Sequence, residues 1–122
     1  MRALIVDDSR FVRGYVRGLL EEKGIACDQA EDGKSRLAQL RSGIDFDVAL
    51  IDSNMPVMNG FEMLTALRAE GFRDLKVMMI TTEAEYKFII DALDSGADEY
   101  LMKPFDEQAL AEKLDMLGLA GL

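Results

Sequence analysis

Five polar residues carry chemistry at spacings that ask for an explanation. Asp7 and Asp8 stand side by side after the apolar run ALIV, and Asp52 follows VALI. Thr81 follows KVMMI, and Lys103 follows EYLM. Adjacent carboxylates at the edge of a core repel each other and weaken a fold unless a cation lies between them. Three carboxylates and one ammonium sum to −2, and a divalent cation brings that sum to zero. With no histidine and a single cysteine in the chain, the donors are oxygens, which suit Mg2+ or Mn2+. A carboxylate, such a cation, a lysine and a hydroxyl in one cleft make a site for a phosphoryl group. The cation and Lys103 neutralise its oxygens, and the Thr81 hydroxyl donates a hydrogen bond. One acid can also serve as nucleophile and form an aspartyl phosphate.

Such a site requires elements that bring distant residues together. Short apolar runs alternate five times with segments of helical period. The strands are expected at 3–6, 25–30, 48–51, 76–80 and 99–102. Ser9 is positioned to cap a helix with the stripe Val12, Val16, Leu19 and Leu20, stopped by Gly24. A short helix over 33–41 turns Leu37 and Leu40 inward. Asn59 caps the next, which carries Phe61, Leu64 and Leu67 and ends at Gly71. A fourth, over 84–95, has Phe88, Ile89, Ala92 and Leu93 inward and stops at Gly96. Asp106 opens the last, with Leu110, Leu114 and Leu117 on its inner face.

The strands read as near-continuous apolar runs, so both faces of the sheet are covered, as in a doubly wound parallel α/β fold. In such a sheet the carboxyl ends of all strands lie along one edge. With the flavodoxin-like order 2-1-3-4-5, strands one and three are neighbours at the switch point. Asp7, Asp8 and Asp52 then share one crevice, with Thr81 and Lys103 on its rim.

The 122 residues suit a single domain, 1–122, with a core of its own. A net charge of −9 argues against direct binding of nucleic acid, whose phosphates it repels. No apolar run is long enough to insert in a membrane, and the start MRALIVDD has no leader pattern. One cysteine allows no internal disulfide, which makes the cytoplasm the default compartment.

The motifs IVDDS, ALIDSNMPVMNG, MITTE and GADEYLMKPF resemble the receiver-domain family of two-component response regulators, over the whole chain. The strand order given above comes with this resemblance and not from the pattern of the chain. The resemblance implies that Asp7, Asp8, Asp52 and the backbone carbonyl of Asn54 hold Mg2+. It also implies that Asp52 is the phosphoacceptor, Lys103 the phosphate-binding lysine, Thr81 the switch hydroxyl and Tyr100 the switch aromatic. The family makes the Lys-Pro bond cis, which applies to Lys103 and Pro104. Asn54 and Glu83, two residues beyond Asp52 and Thr81, match positions that tune the lifetime of the phosphoryl group. Thr82 stands where the family usually has a smaller residue, and its branched side chain narrows the path to Asp52.

The partners so implied are a sensor histidine kinase or phosphotransfer protein and a downstream protein target. The target meets the face made by the 84–95 segment, including Tyr86, together with the fifth strand and the last helix. The expected function is a phosphorylation-dependent switch that catalyses only its own phosphoryl transfer and hydrolysis and is otherwise no enzyme. DDSRFVR and AEKLD are closest to stand-alone chemotaxis regulators; a receiver cut from a longer regulator reads the same way.

Plainer readings exist for each part. Paired aspartates after a strand also serve as helix cap and turn, and Met78, Met79, Met102 and Cys27 read as packing. A phosphatase of the haloacid dehalogenase type wants a second acid two residues after its nucleophile, where Asn54 sits. A flavin carrier wants a phosphate-binding loop after strand one, where DDSRF places two anions instead.

Overall fold

Alternate residues along each strand go to opposite sides of the sheet, and here both sides are packed. Leu4, Val6, Ala49, Ile51, Val77 and Met79 face one core, completed by Met63, Leu64 and Leu67. Ala3, Ile5, Val48, Leu50, Met78 and Ile80 face the other, completed by Val16, Leu20, Leu110 and Leu114. Double burial is why these strands read as unbroken apolar runs instead of an alternation.

The computed structural model describes residues 1–31, 45–53, 59–72, 74–82, 89–94 and 96–119. The strands are β1 (Arg2–Val6), β2 (Ala26–Ala30), β3 (Val48–Asp52), β4 (Lys76–Thr81) and β5 (Glu99–Met102). They form one five-stranded sheet in the order β2-β1-β3-β4-β5, with every pair parallel. Four helices fall within the described residues: α1 (Arg10–Glu22), α2 (Gly60–Ala69), α3 (Ile89–Asp94) and α4 (Glu107–Met116). The helix expected over 33–41 lies outside them, as do Tyr86 and Phe88.

The helix ends follow from local chemistry. Ser9 Oγ accepts from the Val12 N–H and caps α1. Asn59 and Glu62 form a reciprocal capping box on α2, and Asp106 accepts from the Ala109 N–H to cap α4. Gly24 and Gly71 follow α1 and α2 at φ of 80° and 94°, a backbone region that favours glycine. One expectation is corrected. Leu93 is 38% exposed and shares an outward face of α3 with Ile90, 65% exposed. The two are three residues apart, so they lie on one side of the helix, and that side looks to solvent.

At the amino-terminal end of the sheet, Arg68 of α2 joins several elements. Its guanidinium donates to the carbonyls of Phe72, Leu75 and Gly96 and pairs with Asp98 at 3.0 Å. The same Asp98 carboxylate accepts from the Val77 N–H at 2.8 Å. At the carboxyl-terminal end the acidic residues gather.

Candidate functional site

Register decides what meets at the carboxyl edge. Val6 pairs with Ile51, Asp52 with Ile80, and Thr81 with Met102. The residues just beyond or at these pairs are therefore brought side by side. One ligand oxygen from each of Asp7, Asp8 and Asp52 lies within 4.8 Å of the others. Asp7 is 1% exposed and Asp52 5%, whereas Asp8 opens to solvent.

Lys103 enters from the end of β5, its N–H held by the Thr81 carbonyl at 2.7 Å. Its Nζ stands 3.2 Å from Asp7 Oδ2 and 3.5 Å from Asp52 Oδ1. Burial works against the ammonium, but the charges of Asp52 and Asp7 and their hydrogen bonds outweigh it. The Lys103 pKa is held above the ordinary lysine value. The other oxygen of Asp7 accepts from the Ser9 N–H at 2.8 Å, which fixes the carboxylate against the start of α1.

Three carboxylates against one ammonium leave excess negative charge in a partly buried crevice. Octahedral oxygen ligands around Mg2+ at about 2.1 Å stand at most about 4.2 Å apart. A cluster spanning 4.8 Å is within a small adjustment of that size, and exposed Asp8 is free to make it. The donor set fits a hard divalent cation.

Thr81 is fully buried at the end of β4. Its hydroxyl accepts from Ser53 Oγ at 3.3 Å and donates to the Thr82 carbonyl at 3.3 Å. Thr82 is half-buried and, with Phe11, Tyr15, Lys103 and Phe105, borders a cavity of about 570 Å3 beside the site. The peptide between Lys103 and Pro104 is cis. Tyr100 lies on β5, half-buried, with Lys113 Nζ 4.2 Å from its ring centroid. Asn54 and Glu83 lie outside the described residues.

Three residues to which the sequence reading gives no role belong to this edge. Arg13 Nη1 donates to the Asp7 carbonyl at 2.7 Å, and its Nε to Gln29 Oε1 at 3.3 Å. Ser53 meets Thr81 as described. Gly60 packs against the end of β3: a Cβ there would come 2.3 Å from the Asp52 carbonyl oxygen. A glycine at the first helical position, where proline is common, is the sequence signal for that approach.

The family profile of the response regulator receiver domain matches residues 3–115. The chain belongs to this family. This receiver is 43% identical over 119 residues to chemotaxis protein CheY-3 of Vibrio cholerae serotype O1, covering 96% of this chain and 91% of the relative. It is 40% identical to chemotaxis protein CheY of Pseudomonas aeruginosa, covering 96% and 95%. Among solved structures it resembles the response regulator TrrA of Thermotoga maritima in complex with Mg(2+)-BeF. That match has a TM-score of 0.83 and 32% identity over 95% of this chain and 97% of that one. The receiver thus belongs to two-component signalling, and Asp7, Asp8 and Asp52 form an acidic pocket of the phosphoacceptor type able to bind a metal. A receiver implies a histidine kinase partner and a downstream target, and receivers generally signal rather than turn over substrates. No helix among the described residues is long and apolar enough to cross a membrane.

Proposed function

We propose that the protein is a phosphorylation-dependent switch in which Asp52 takes a phosphoryl group from a histidine kinase or phosphotransfer protein. The observation that carries this is the Lys103 ammonium lying between Asp7 and Asp52 in a cluster of three carboxylates. A buried aspartate beside a fixed cation is a nucleophile whose charge is compensated in part.

In the forward step an Asp52 carboxylate oxygen attacks phosphorus, and the P–N bond to the donor's imidazole breaks. The imidazole leaves and takes up a proton from solvent. Lys103 moves its charge from the Asp52 oxygen to the incoming phosphoryl oxygens. Asp7, Asp8, Asp52 and the Asn54 carbonyl would hold Mg2+, or Mn2+ in its place. When bound, it neutralises charge on the transferring group. Water later attacks phosphorus, the P–O bond to Asp52 breaks, and inorganic phosphate leaves as the carboxylate is restored, at a rate tuned by Asn54, Glu83 and Thr82.

The phosphoryl group adds negative charge and acceptor oxygens at Asp52. The buried Thr81 hydroxyl turns to donate to one of them, which opens space for Tyr100 to turn inward on β5. That movement reaches the face made by the 84–95 segment, β5 and α4, where the downstream protein binds. Phe11, 83% exposed beside the cavity next to Lys103, offers the phosphodonor protein an apolar foothold. Output through protein contact, of the kind its chemotaxis relatives' names suggest, fits a domain of net charge −9 better than contact with nucleic acid or insertion in a membrane.

Acetyl phosphate with Mg2+ should add the mass of one phosphoryl group to the protein, and Asp52→Asn should show no stable gain. A gain that persists in Asp52→Asn, or none in the wild type, rejects this reading.

A further inference from the structure

The hydroxyl that follows the phosphoacceptor is aimed at the one proposed to sense it. Ser53 lies one residue beyond the Asp52–Ile80 register pair, opposite Thr81. Both backbone groups of Ser53 are engaged: its N–H donates to the Ile80 carbonyl at 2.8 Å, and its carbonyl accepts from the Gly60 N–H at 3.3 Å. The Cα is confined as well, since Gly60 approaches so closely that a Cβ there would sit 2.9 Å away. The Ser53 side chain is therefore presented from a fixed backbone. Its Oγ donates to Thr81 Oγ1 at 3.3 Å, while Thr81 spends its only hydroxyl proton on the Thr82 carbonyl at 3.3 Å.

A threonine hydroxyl has one proton to give. In the arrangement described, Thr81 cannot donate to an anion on Asp52 until it leaves the Thr82 carbonyl, and where its side chain rotates to do so Oγ1 also moves away from Ser53. Both contacts are long for O–H···O bonds, whose usual length is about 2.7–2.8 Å. They hold the hydroxyl in place without locking it.

We propose that Ser53 is a positioning residue that retains the Thr81 hydroxyl in its resting orientation and so sets how readily the site accepts a tetrahedral anion at Asp52. The proposal rests on the phosphoacceptor reading and names a regulator of that same site. Ser53 touches neither the transferred group nor its donor in this role; it acts through Thr81.

The test uses the intact protein, with beryllofluoride and Mg2+ as the phosphoryl mimic, followed by calorimetry or by the fluorine resonance of the bound complex. Ser53→Ala should bind beryllofluoride roughly threefold to tenfold more tightly, the worth of one weak hydrogen bond. Ser53→Thr, which keeps the hydroxyl, should bind like the wild type. In a Thr81→Ala background, removing the Ser53 hydroxyl should have no further effect, since the coupling between the two positions is gone. Affinity for Mg2+ alone should stay the same throughout, and a merely structural role would move the urea midpoint without this pattern. Should Ser53→Ala not fold, Ser53→Cys keeps the volume and loses the strong donor. Unchanged or weaker beryllofluoride binding in the variant overturns the retaining role while wild-type binding leaves the phosphoacceptor reading standing. No binding by the wild type overturns both.

Discussion

Lys103 Nζ and Asp7 Oδ2, separated by 96 positions in the chain, form a 3.2 Å ion pair whose acid is 1% exposed. The ammonium is the counter-ion of Asp7, just beyond β1, and it is shared with Asp52. Replacing it should therefore cost stability as well as chemistry. Lys103→Ala should lower the unfolding free energy in chelator by roughly 2 kcal/mol, less than the several kcal/mol of a fully buried pair. The discount reflects a lysine side chain that is 24% exposed. Urea denaturation measures this, and an unchanged midpoint would show that solvent already screens the acids.

Divalent cation should stabilise the folded protein by mass action. At a hundredfold excess over Kd the gain is about 2.7 kcal/mol, read as a rise in Tm on adding Mg2+. Asp8→Asn should abolish most of that rise. In chelator, however, the variant should be at least as stable as the wild type, because one member of a repelling trio is gone. A variant that still gains the full increment would remove Asp8 from the ligand set.

Alkaline pH should weaken the fold through two groups. Burial, followed by the Glu21 carboxylate, pushes the Cys27 thiol up from its ordinary 9.0 to about 11. Lys103 is also raised from its ordinary 10.5. In each case the unfolded chain loses its proton at lower pH than the folded one, so unfolding gains as pH rises. The Cys27 contribution is complete below 9.0 and disappears by about 11, and that of Lys103 starts to fall above 10.5. Urea midpoints across this range should decline, and Cys27→Ala should remove the earlier part of the decline. A flat profile through pH 10 in the wild type would contradict the assignment to Cys27.

Gly60→Ala should be among the more damaging small substitutions in the protein. The added Cβ would lie 2.3 Å from the Asp52 carbonyl oxygen and 2.9 Å from Ser53 Cα, backbone atoms that cannot turn aside. A cost of about 3 kcal/mol is expected from such overpacking. On the proposed role of Asp52, loss of acetyl phosphate labelling should accompany it, since the end of β3 must move. Wild-type labelling with wild-type stability would show that α2 shifts freely.

Much of this was legible in the sequence, for reasons that differ by element. β1, β3 and β4 were readable because burial on both faces leaves uninterrupted apolar runs, and the caps Ser9, Asn59 and Asp106 because their chemistry is local. β2 was less sharply bounded: Ile25, expected as its first residue, is buried from the turn before it, its N–H bonded to the Leu20 carbonyl at 3.1 Å. Leu93 was misplaced because adjacent apolar residues in this segment allow more than one helical face, and Leu93 shares the exposed one with Ile90. The converging trio with Lys103 was legible only through strand order, which the family resemblance supplied. Ser53 and Arg13 were silent, because their contacts cross between elements and depend on register, which periodicity leaves open.

The Arg68 cluster has a bearing on how a signal travels. It rivets the leading ends of β4 and β5 to the tail of α2 at the pole opposite the acids. With that pole anchored, a disturbance at the acids is expected to leave the leading ends of β4 and β5 in place and not to tip the sheet as a plate. Hydrogen exchange should register the contrast, with the Val77 amide opening last and the amides flanking Thr81 opening sooner.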